Sequence, residues 1–233
     1  MLQKSTPRRI VLHIPHASPV FPFGRSGWDD GIEAEIARWT DWYTDYLFGS
    51  ASRLSPEIVP IVYPFSRFFC DVERLEDDPL ESIGQGRVYR RFGSLHRNVS
   101  EREVRWIEDS YREHRERLRS ALCPECLLID CHSFLRDLSG VDICIGVNED
   151  FSRPDDRLIE CVLEHFNSRG YCTRLNDPYS NALAPDCGFP YQSIMIEVNK
   201  GTYLEGNDEL NIERAFKIKK TIEGLLHSFV VGP

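Results

Sequence analysis

The sequence has no long apolar run and no surplus of positive charge, and each absence excludes a class of protein. No stretch approaches the roughly 20 apolar residues that a helix needs to cross a bilayer. The first apolar run, residues 10–14, contains a histidine and is followed by Pro15, so it is too short for a signal peptide. The 28 basic residues are outnumbered by 37 acidic ones, which gives a formal charge of −9. We therefore expect neither a membrane protein nor a nucleic-acid partner, because binding phosphates requires clustered Lys and Arg.

The cysteines lack the spacing of a zinc finger or a disulfide framework. Several of the eight lie in apolar runs, such as CLLIDC and DICIG, where a reduced cysteine packs as a small hydrophobic residue. Cys123 and Cys126 form a CPEC box, but no second CxxC and no paired histidines follow it. Redox or zinc chemistry at this box is the less favoured interpretation. Reduced thiols and the absence of a signal peptide predict a cytoplasmic protein.

No internal repeat and no linker rich in Gly, Pro or Ser divides the chain. Its 41% hydrophobic and 11% aromatic content is sufficient for a packed core. A length of 233 residues is within the range of one α/β domain, so we expect a single domain over residues 1–233.

Apolar runs bounded by polar residues alternate with amphipathic patterns of helical period. Because the runs are almost continuously apolar, their strands should be buried on both faces, which predicts an α/β fold: a three-layer αβα sandwich around a mixed, mostly parallel sheet. The polar, Arg-rich segment 63–99 is typical of a loop that covers an active site. Strands are predicted at 9–14, 57–62, 126–131, 141–146, 171–175 and 192–198, and helices at 32–48, from the Ser100/Glu103 capping box to 122, and around 158–166 and 210–226.

Three polar residues lie at or near strand ends, where open α/β sheets bind ligands. His16 follows the first strand, His132 follows CLLIDC, and Glu197 lies within the apolar run IMIEV. Two imidazoles and a carboxylate are suitable zinc ligands, and a further carboxylate can accept the proton of a water molecule. A single histidine at a strand end is more often structural, so this hypothesis requires both histidines to meet in one pocket. Glu197 must be either paired or functional, because burying an isolated acid is costly.

A carboxylate ligand could come from the predicted helix 32–48. Asp41 and Asp45 are four residues apart and should share a helix face. A solvent-exposed aspartate or an ion pair with an arginine remains the alternative for either residue.

Three further side chains are candidates for substrate binding. Arg67 and Arg74 lie on either side of Asp71 and could hold a substrate carboxylate, although ordinary salt bridges are the alternative. His114 falls on the apolar stripe of its helix. It is therefore either a core histidine or a donor to substrate.

In this order along the chain, several segments resemble the N-formylglutamate amidohydrolase family. They are IPHAS, TDWYTDYLF, SRFFCDVERL, YREH, DCHSF, DICIGVNED, NDPY and IEVNKGTYL. The resemblance implies a fold similar to zinc carboxypeptidases, and thus to zinc exopeptidases. It implies a hydrolase that cleaves the amide of an N-acyl amino acid such as N-formylglutamate, using zinc or another divalent metal. His16 and His132 would be metal ligands, with Asp41 preferred to Asp45 as the third, and Glu197 would be the general base.

The chain also departs from the family pattern. The family commonly has Asp-Leu-Asn-Arg where this sequence has Asp71, Val72, Glu73 and Arg74, so an acid replaces an amide near the substrate. This departure leaves the identity of the substrate open, and we expect a small N-acyl amino acid or a short peptide-like molecule. The alternative functions are a carboxypeptidase or cell-wall peptide amidase of the same fold, and a metal-binding module without catalytic activity.

Overall fold

A six-stranded mixed sheet forms the centre of the fold. The computed structural model of the protein describes residues 7, 9–24, 27–75 and 78–231. The strands are β1 (Ile10–Ile14), β2 (Ile58–Val62), β3 (Arg91–Phe92), β4 (Leu95–His96), β5 (Leu127–Phe134), β6 (Ile143–Gly146), β7 (Thr173–Leu175) and β8 (Gln192–Asn199). The central sheet has the order β2-β1-β5-β8-β6-β7, in which β6 and β7 run antiparallel to the other four strands. Strands β3 and β4 form a separate hairpin.

Helices cover both faces of the sheet, as the apolar strands predict. Successive side chains of a strand point to opposite faces. Leu12 packs in one core with Phe48 and Ile222. Val11, on the other face, packs with Leu118. The predicted three-layer arrangement is therefore confirmed. The helices are α1 (Ile32–Trp39), α2 (Thr44–Gly49), α3 (Glu101–Ala121), α4 (Asp156–Asn167), α5 (Lys200–Tyr203) and α6 (Ile212–Val231). Among the described helices, none is both long and apolar enough to span a bilayer.

The sequence locates the elements of the main sheet closely. Each predicted strand starts and ends within two residues of an observed one, except that β5 continues three residues further, to Phe134. His132 consequently lies inside β5 and not after it. The capping box of α3 is present: the Ser100 hydroxyl accepts from the Glu103 amide, and the Glu103 side chain accepts from the Ser100 amide.

The prediction of one helix over 32–48 is wrong. Thr40 is extended (φ −71°, ψ 131°) and Tyr43 is left-handed (φ 63°), so α1 and α2 are separated by a break. The amide of Asp41 in this break donates to the carbonyl of His16 at 2.9 Å, a tertiary hydrogen bond in place of a helical one. Asp45 lies on α2 with an exposed side chain, whereas Asp41 is buried. The two aspartates therefore do not share a helix face.

The described residues of segment 63–99 pack against one another through aromatic side chains. Phe68, Tyr89 and Phe92 form mutual edge or tilted ring contacts with centroids 5.0–6.1 Å apart. Arg97 is buried beneath them and donates to the carbonyls of Phe68 and Phe69. These contacts fix the segment above the site described next.

Candidate active site

The topology brings the polar strand residues to one edge of the sheet. Strands β1, β5 and β8 are parallel, so their carboxyl ends coincide, and His132 of β5 lies directly opposite Glu197 of β8. His16 follows β1 by two residues, and its ring centroid lies 5.2 Å from that of His132. The hydrogen bond between Asp41 and the His16 backbone adds a buried carboxylate.

The side chains of His16, Asp41 and His132 form a compact donor set, the candidate metal site. Asp41 Oδ2 lies 3.1 Å from His132 Nδ1 and 3.8 Å from His16 Nδ1. One potential ligand atom from each residue lies within 4.8 Å of the others. His16 Nδ1 is buried and has no described hydrogen-bond partner. Two imidazoles and one carboxylate with an unused nitrogen fit a zinc-type divalent ion.

The opposite nitrogen of each imidazole faces a second buried carboxylate. His16 Nε2 lies 2.9 Å from Asp71 Oδ1, and His132 Nε2 lies 3.1 Å from Asp130 Oδ1. Such outer carboxylates orient metal-binding histidines and raise their basicity. Two other groupings of His, Asp and Glu side chains, which include Asp71 or Asp130, also have ligand atoms close enough together for an ion.

Asp71 connects the candidate metal site to the two predicted arginines. Arg67 Nη2 and Arg74 Nε lie 3.2 Å and 3.3 Å from Asp71 Oδ2, and the Tyr89 hydroxyl donates to the same oxygen. Although burial opposes ionisation, Arg67, His16 and Arg74 hold the pKa of Asp71 well below its usual range. Both arginines thus have a carboxylate partner, and each keeps further N–H donors free for a ligand.

Asp130 is held by a buried histidine chain that the sequence analysis missed. His13 Nδ1 lies 2.8 Å from Asp130 Oδ1, and His13 Nε2 lies 3.0 Å from His114 Nε2. The Leu183 amide donates to Asp130 Oδ2. His13 and Asp130 lie in apolar strand sequences just as Glu197 does, so the signal that identified Glu197 applied to them as well.

His114 lies at the end of this chain. Burial, together with His13 and nearby arginines, lowers the pKa of His114 to about 2, so the ring is neutral. It is not among the described residues that line the cavity below, and it contacts His13 instead. The structure therefore does not place His114 where it was predicted to meet substrate.

A cavity of about 360 Å³ opens beside the candidate metal site. Glu197 lines it with 8% of its surface exposed, and Glu197 Oε2 has no described hydrogen-bond partner. Burial raises the pKa of Glu197 to about 8; His132 opposes the rise, whereas Asp41 and Glu73 add to it. The other lining residues include Arg38, Asp41, Arg67, Glu73, Arg74, Tyr89, Phe92, His132, Tyr179, Met195 and Lys200. The arrangement offers a basic carboxylate beside a donor set for a metal ion, within an enclosure for a small molecule.

Comparison with known proteins agrees with the resemblance of the motifs. The family model for N-formylglutamate amidohydrolase matches residues 8–204. The chain belongs to this family. Members of the N-formylglutamate amidohydrolase family take their name from hydrolysis of an amide, so the expected reaction class is supported at that level. No curated protein sequence matches the chain significantly.

Solved structures share the fold of this N-formylglutamate amidohydrolase family member. The crystal structure of N-formylglutamate amidohydrolase from Ralstonia eutropha JMP134 has a TM-score of 0.79 and 18% identity, covering 98% of this chain and 96% of that one. A gene product from Agrobacterium tumefaciens has a TM-score of 0.70 and 18% identity, covering 97% and 92%. At this identity the two structures establish the fold alone.

Proposed function

We propose that the protein is a metal-dependent amidohydrolase that cleaves a small N-acyl amino acid, with N-formylglutamate as the leading substrate. The carrying observation is that His16, Asp41 and His132 converge in one donor set. Asp41 and His132 of this set line the same cavity as Glu197. Family membership supports the amide as the bond that is cleaved. We propose that the whole chain serves as one catalytic domain.

His16, Asp41 and His132 would hold zinc or another divalent ion. Such an ion, when bound, polarises a carbonyl and makes water acidic enough to act as a nucleophile near neutral pH. Asp71 and Asp130 keep the two imidazoles oriented toward Asp41. A neutral imidazole that held the ion through one nitrogen would donate the N–H of its other nitrogen to the carboxylate that faces it.

Glu197 acts as the general base and then as the general acid. Its Oε2 has no competing partner in the described structure, so it is free to accept the proton of the attacking water. A carboxylate with a pKa near 8 can return that proton to the leaving amine near neutral pH. Glu197 therefore accounts for both proton transfers of an amide hydrolysis.

Arg67 and Arg74 bind the α-carboxylate of the substrate through donors that Asp71 leaves unused. An N-formyl amino acid should consequently be cleaved at least about tenfold faster, in kcat/KM, than its α-amide, because a half-buried charged hydrogen bond is lost in the amide. Equal rates on the acid and the amide contradict this role and favour an internal peptide bond as the substrate.

The proposed function is tested by metal analysis combined with a substrate screen. Purified protein is assayed for bound metal and for hydrolysis of N-formyl, N-acetyl and N-carbamoyl amino acids, with short peptides included to detect a carboxypeptidase or peptide amidase. His132→Ala should lose metal and activity together. His227→Ala, on the exposed side of α6, is the matched control and should keep both. Stoichiometric metal in His132→Ala contradicts the ligand assignment.

A further inference from the structure

The buried histidines His13 and His114 have no role in the mechanism above. His114 of α3 lies 3.0 Å from His13 of β1, measured between their Nε2 atoms, and His13 Nδ1 lies 2.8 Å from Asp130 Oδ1 of β5. His132 Nε2 lies 3.1 Å from the same oxygen. No more than 4% of the surface of each of these four residues is exposed. Their hydrogen bonds must therefore be made within the protein.

Asp130 sets the direction of the hydrogen bonds in this chain. A carboxylate only accepts, so the proton between Asp130 and His13 belongs to His13 Nδ1. A neutral imidazole has one N–H, so His13 Nε2 must accept, and His114 Nε2 must donate to it. His114 Nδ1 is then unprotonated. This assignment leaves neither histidine with a buried N–H that lacks an acceptor, because His114 Nδ1 is the ring nitrogen of the pair without a described partner.

His13 holds one oxygen of Asp130, and a backbone amide holds the other. The Leu183 amide donates to Asp130 Oδ2 at 2.9 Å, while His13 donates to Oδ1. His13 and Asp130 also lie opposite each other on the neighbouring strands β1 and β5. Asp71, the carboxylate that faces His16, is held instead by two arginines and a tyrosine. An imidazole N–H thus orients Asp130, whereas cationic side chains orient Asp71.

Aromatic packing confines the ring of His114. Its centroid lies 5.1 Å from that of Tyr63 in an edge contact and 5.2 Å from that of His13 in a tilted one. The Tyr63 hydroxyl is itself hydrogen-bonded to Ser110, which lies four residues before His114 on α3. This packing holds His114 Nε2 toward His13.

We propose that His13 and His114 are positioning residues for the candidate metal site. Their N–H groups, directed one after the other toward Asp130, keep that carboxylate facing His132 Nε2. His132 Nδ1 is thereby kept facing Asp41 Oδ2, 3.1 Å away. The proposal rests on the proposed function, in which His132 is a metal ligand. A group that orients a metal-binding histidine typically contributes about 10–100-fold to metal affinity.

The affinity for zinc, measured by competition with a chromophoric chelator, tests this positioning role. His13→Leu fills the space but removes both hydrogen bonds, so the Kd for zinc should rise by about 10–100-fold. His13→Asn retains an N–H close to the position of His13 Nδ1 and should recover most of this loss. Unchanged affinity in His13→Leu overturns the proposal. Equal weakening in the two variants overturns it as well, because side-chain volume and not the N–H would then set the affinity.

The same measurement on His114 variants keeps the proposal testable if His13→Leu does not fold. His114→Leu removes the donor to His13 and should weaken zinc binding by at least about threefold. His114→Gln can still donate and should bind zinc as wild type does. Equal affinity in these two variants overturns the role of His114. His165→Leu is the control, because His165 is hydrogen-bonded to the Thr221 carbonyl, between α4 and α6, and should leave the affinity unchanged.

Long-range proton–nitrogen NMR spectra of the metal-free protein separate this proposal from the proposed function. They should show His13 protonated at Nδ1 and His114 protonated at Nε2. The ring signals of His132 should shift more in His13→Leu than in His13→Asn. This result supports the positioning role even if wild-type protein binds no zinc, which contradicts the proposed function. The opposite tautomer of either histidine, or His132 signals that His13→Leu leaves unchanged, overturns the proposal.

Discussion

Among single residues, Glu197 is the one whose burial bears most directly on the proposed proton transfers. Its carboxylate faces the cavity with a free Oε2 and a pKa raised to about 8 by burial. Glu197→Gln keeps the shape but removes the basic group. We expect kcat to fall by about 10²–10⁴-fold while metal content and fold are retained.

The matching control is Glu209→Gln. Glu209 is an exposed acid outside the cavity, so this variant should behave as wild type. Loss of metal from Glu197→Gln, as complete as in His132→Ala, identifies Glu197 as a ligand. Turnover near the wild-type value identifies it as a structural acid.

The lowered pKa of His114 predicts how the free energy of unfolding changes as the pH falls. Its pKa is about 2 in the folded protein and about 6.5 when unfolded. Between these values the unfolded chain binds a proton that the folded protein does not, so the free energy of unfolding falls by about 1.4 kcal/mol for each pH unit below 6.5.

His114→Gln removes this titration and can still donate to His13. Chemical denaturation of metal-free protein at pH 7.0, 6.0 and 5.0 should therefore show a shallower loss of stability in the variant than in wild type. Parallel profiles for the two proteins mean that His114 is protonated in the folded state.

Sequence reasoning predicted candidate site residues where an acid or histidine interrupts an apolar strand. This signal pointed to His132 and Glu197, and it is present at His13 and Asp130 as well. It could not identify Lys200, because the sequence does not show that a lysine after a strand turns inward. Lys200 is buried and donates to the Arg38 carbonyl of α1, a tertiary contact between residues distant in sequence.

At the scale of elements, the break between α1 and α2 decides which aspartate reaches the site. The helical period continues through Trp39, Tyr43 and Leu47, so the pattern alone predicts one helix. The hydrogen bond from Asp41 to the His16 carbonyl, which joins residues distant in sequence, competes with the helical bond. Local pattern could therefore predict the strands but not this break.

Strand β6 offers a test of how tightly the cavity wall is packed. Gly146 pairs with Met195 of β8, and an added Cβ would lie 2.2 Å from the Asn181 carbonyl oxygen and 3.1 Å from Met195 Cβ. Gly146→Ala should lower the free energy of unfolding by about 1–3 kcal/mol, because the backbone must shift. Since Met195 lines the cavity, activity should fall too.

Gly140→Ala is the control for Gly146→Ala, because an added Cβ there meets no atom within 4 Å. Its effect in chemical denaturation should stay within about 0.5 kcal/mol. A Gly146→Ala variant as stable as Gly140→Ala contradicts the close contact between β6 and the 176–184 segment.

At the scale of the whole molecule, the net charge of the chain does not describe the charge around its cavity. A formal charge of −9 argues against a polyanionic partner, yet one cavity contains four cations: Arg38, Arg67, Arg74 and Lys200. The count of charged residues was sufficient to argue against a polyanionic partner. The cluster of cations is visible only in the folded chain, which brings together residues from three separated segments.

The candidate metal site joins β1, β5 and the break after α1, so an ion bound there should stabilise the whole fold. A ligand that binds only the folded protein at 100 times its Kd adds about 2.7 kcal/mol, which corresponds to a rise of about 5–10 °C in Tm for a chain of this size. We expect zinc to raise the Tm of chelator-treated wild type by this amount, measured by differential scanning fluorimetry. His16→Ala and His132→Ala should lose the shift, because each removes one of three ligands. Cys123→Ser should keep it, since the CPEC box lies outside the cavity. A shift that survives in both histidine variants and disappears in Cys123→Ser places the ion at the thiols instead.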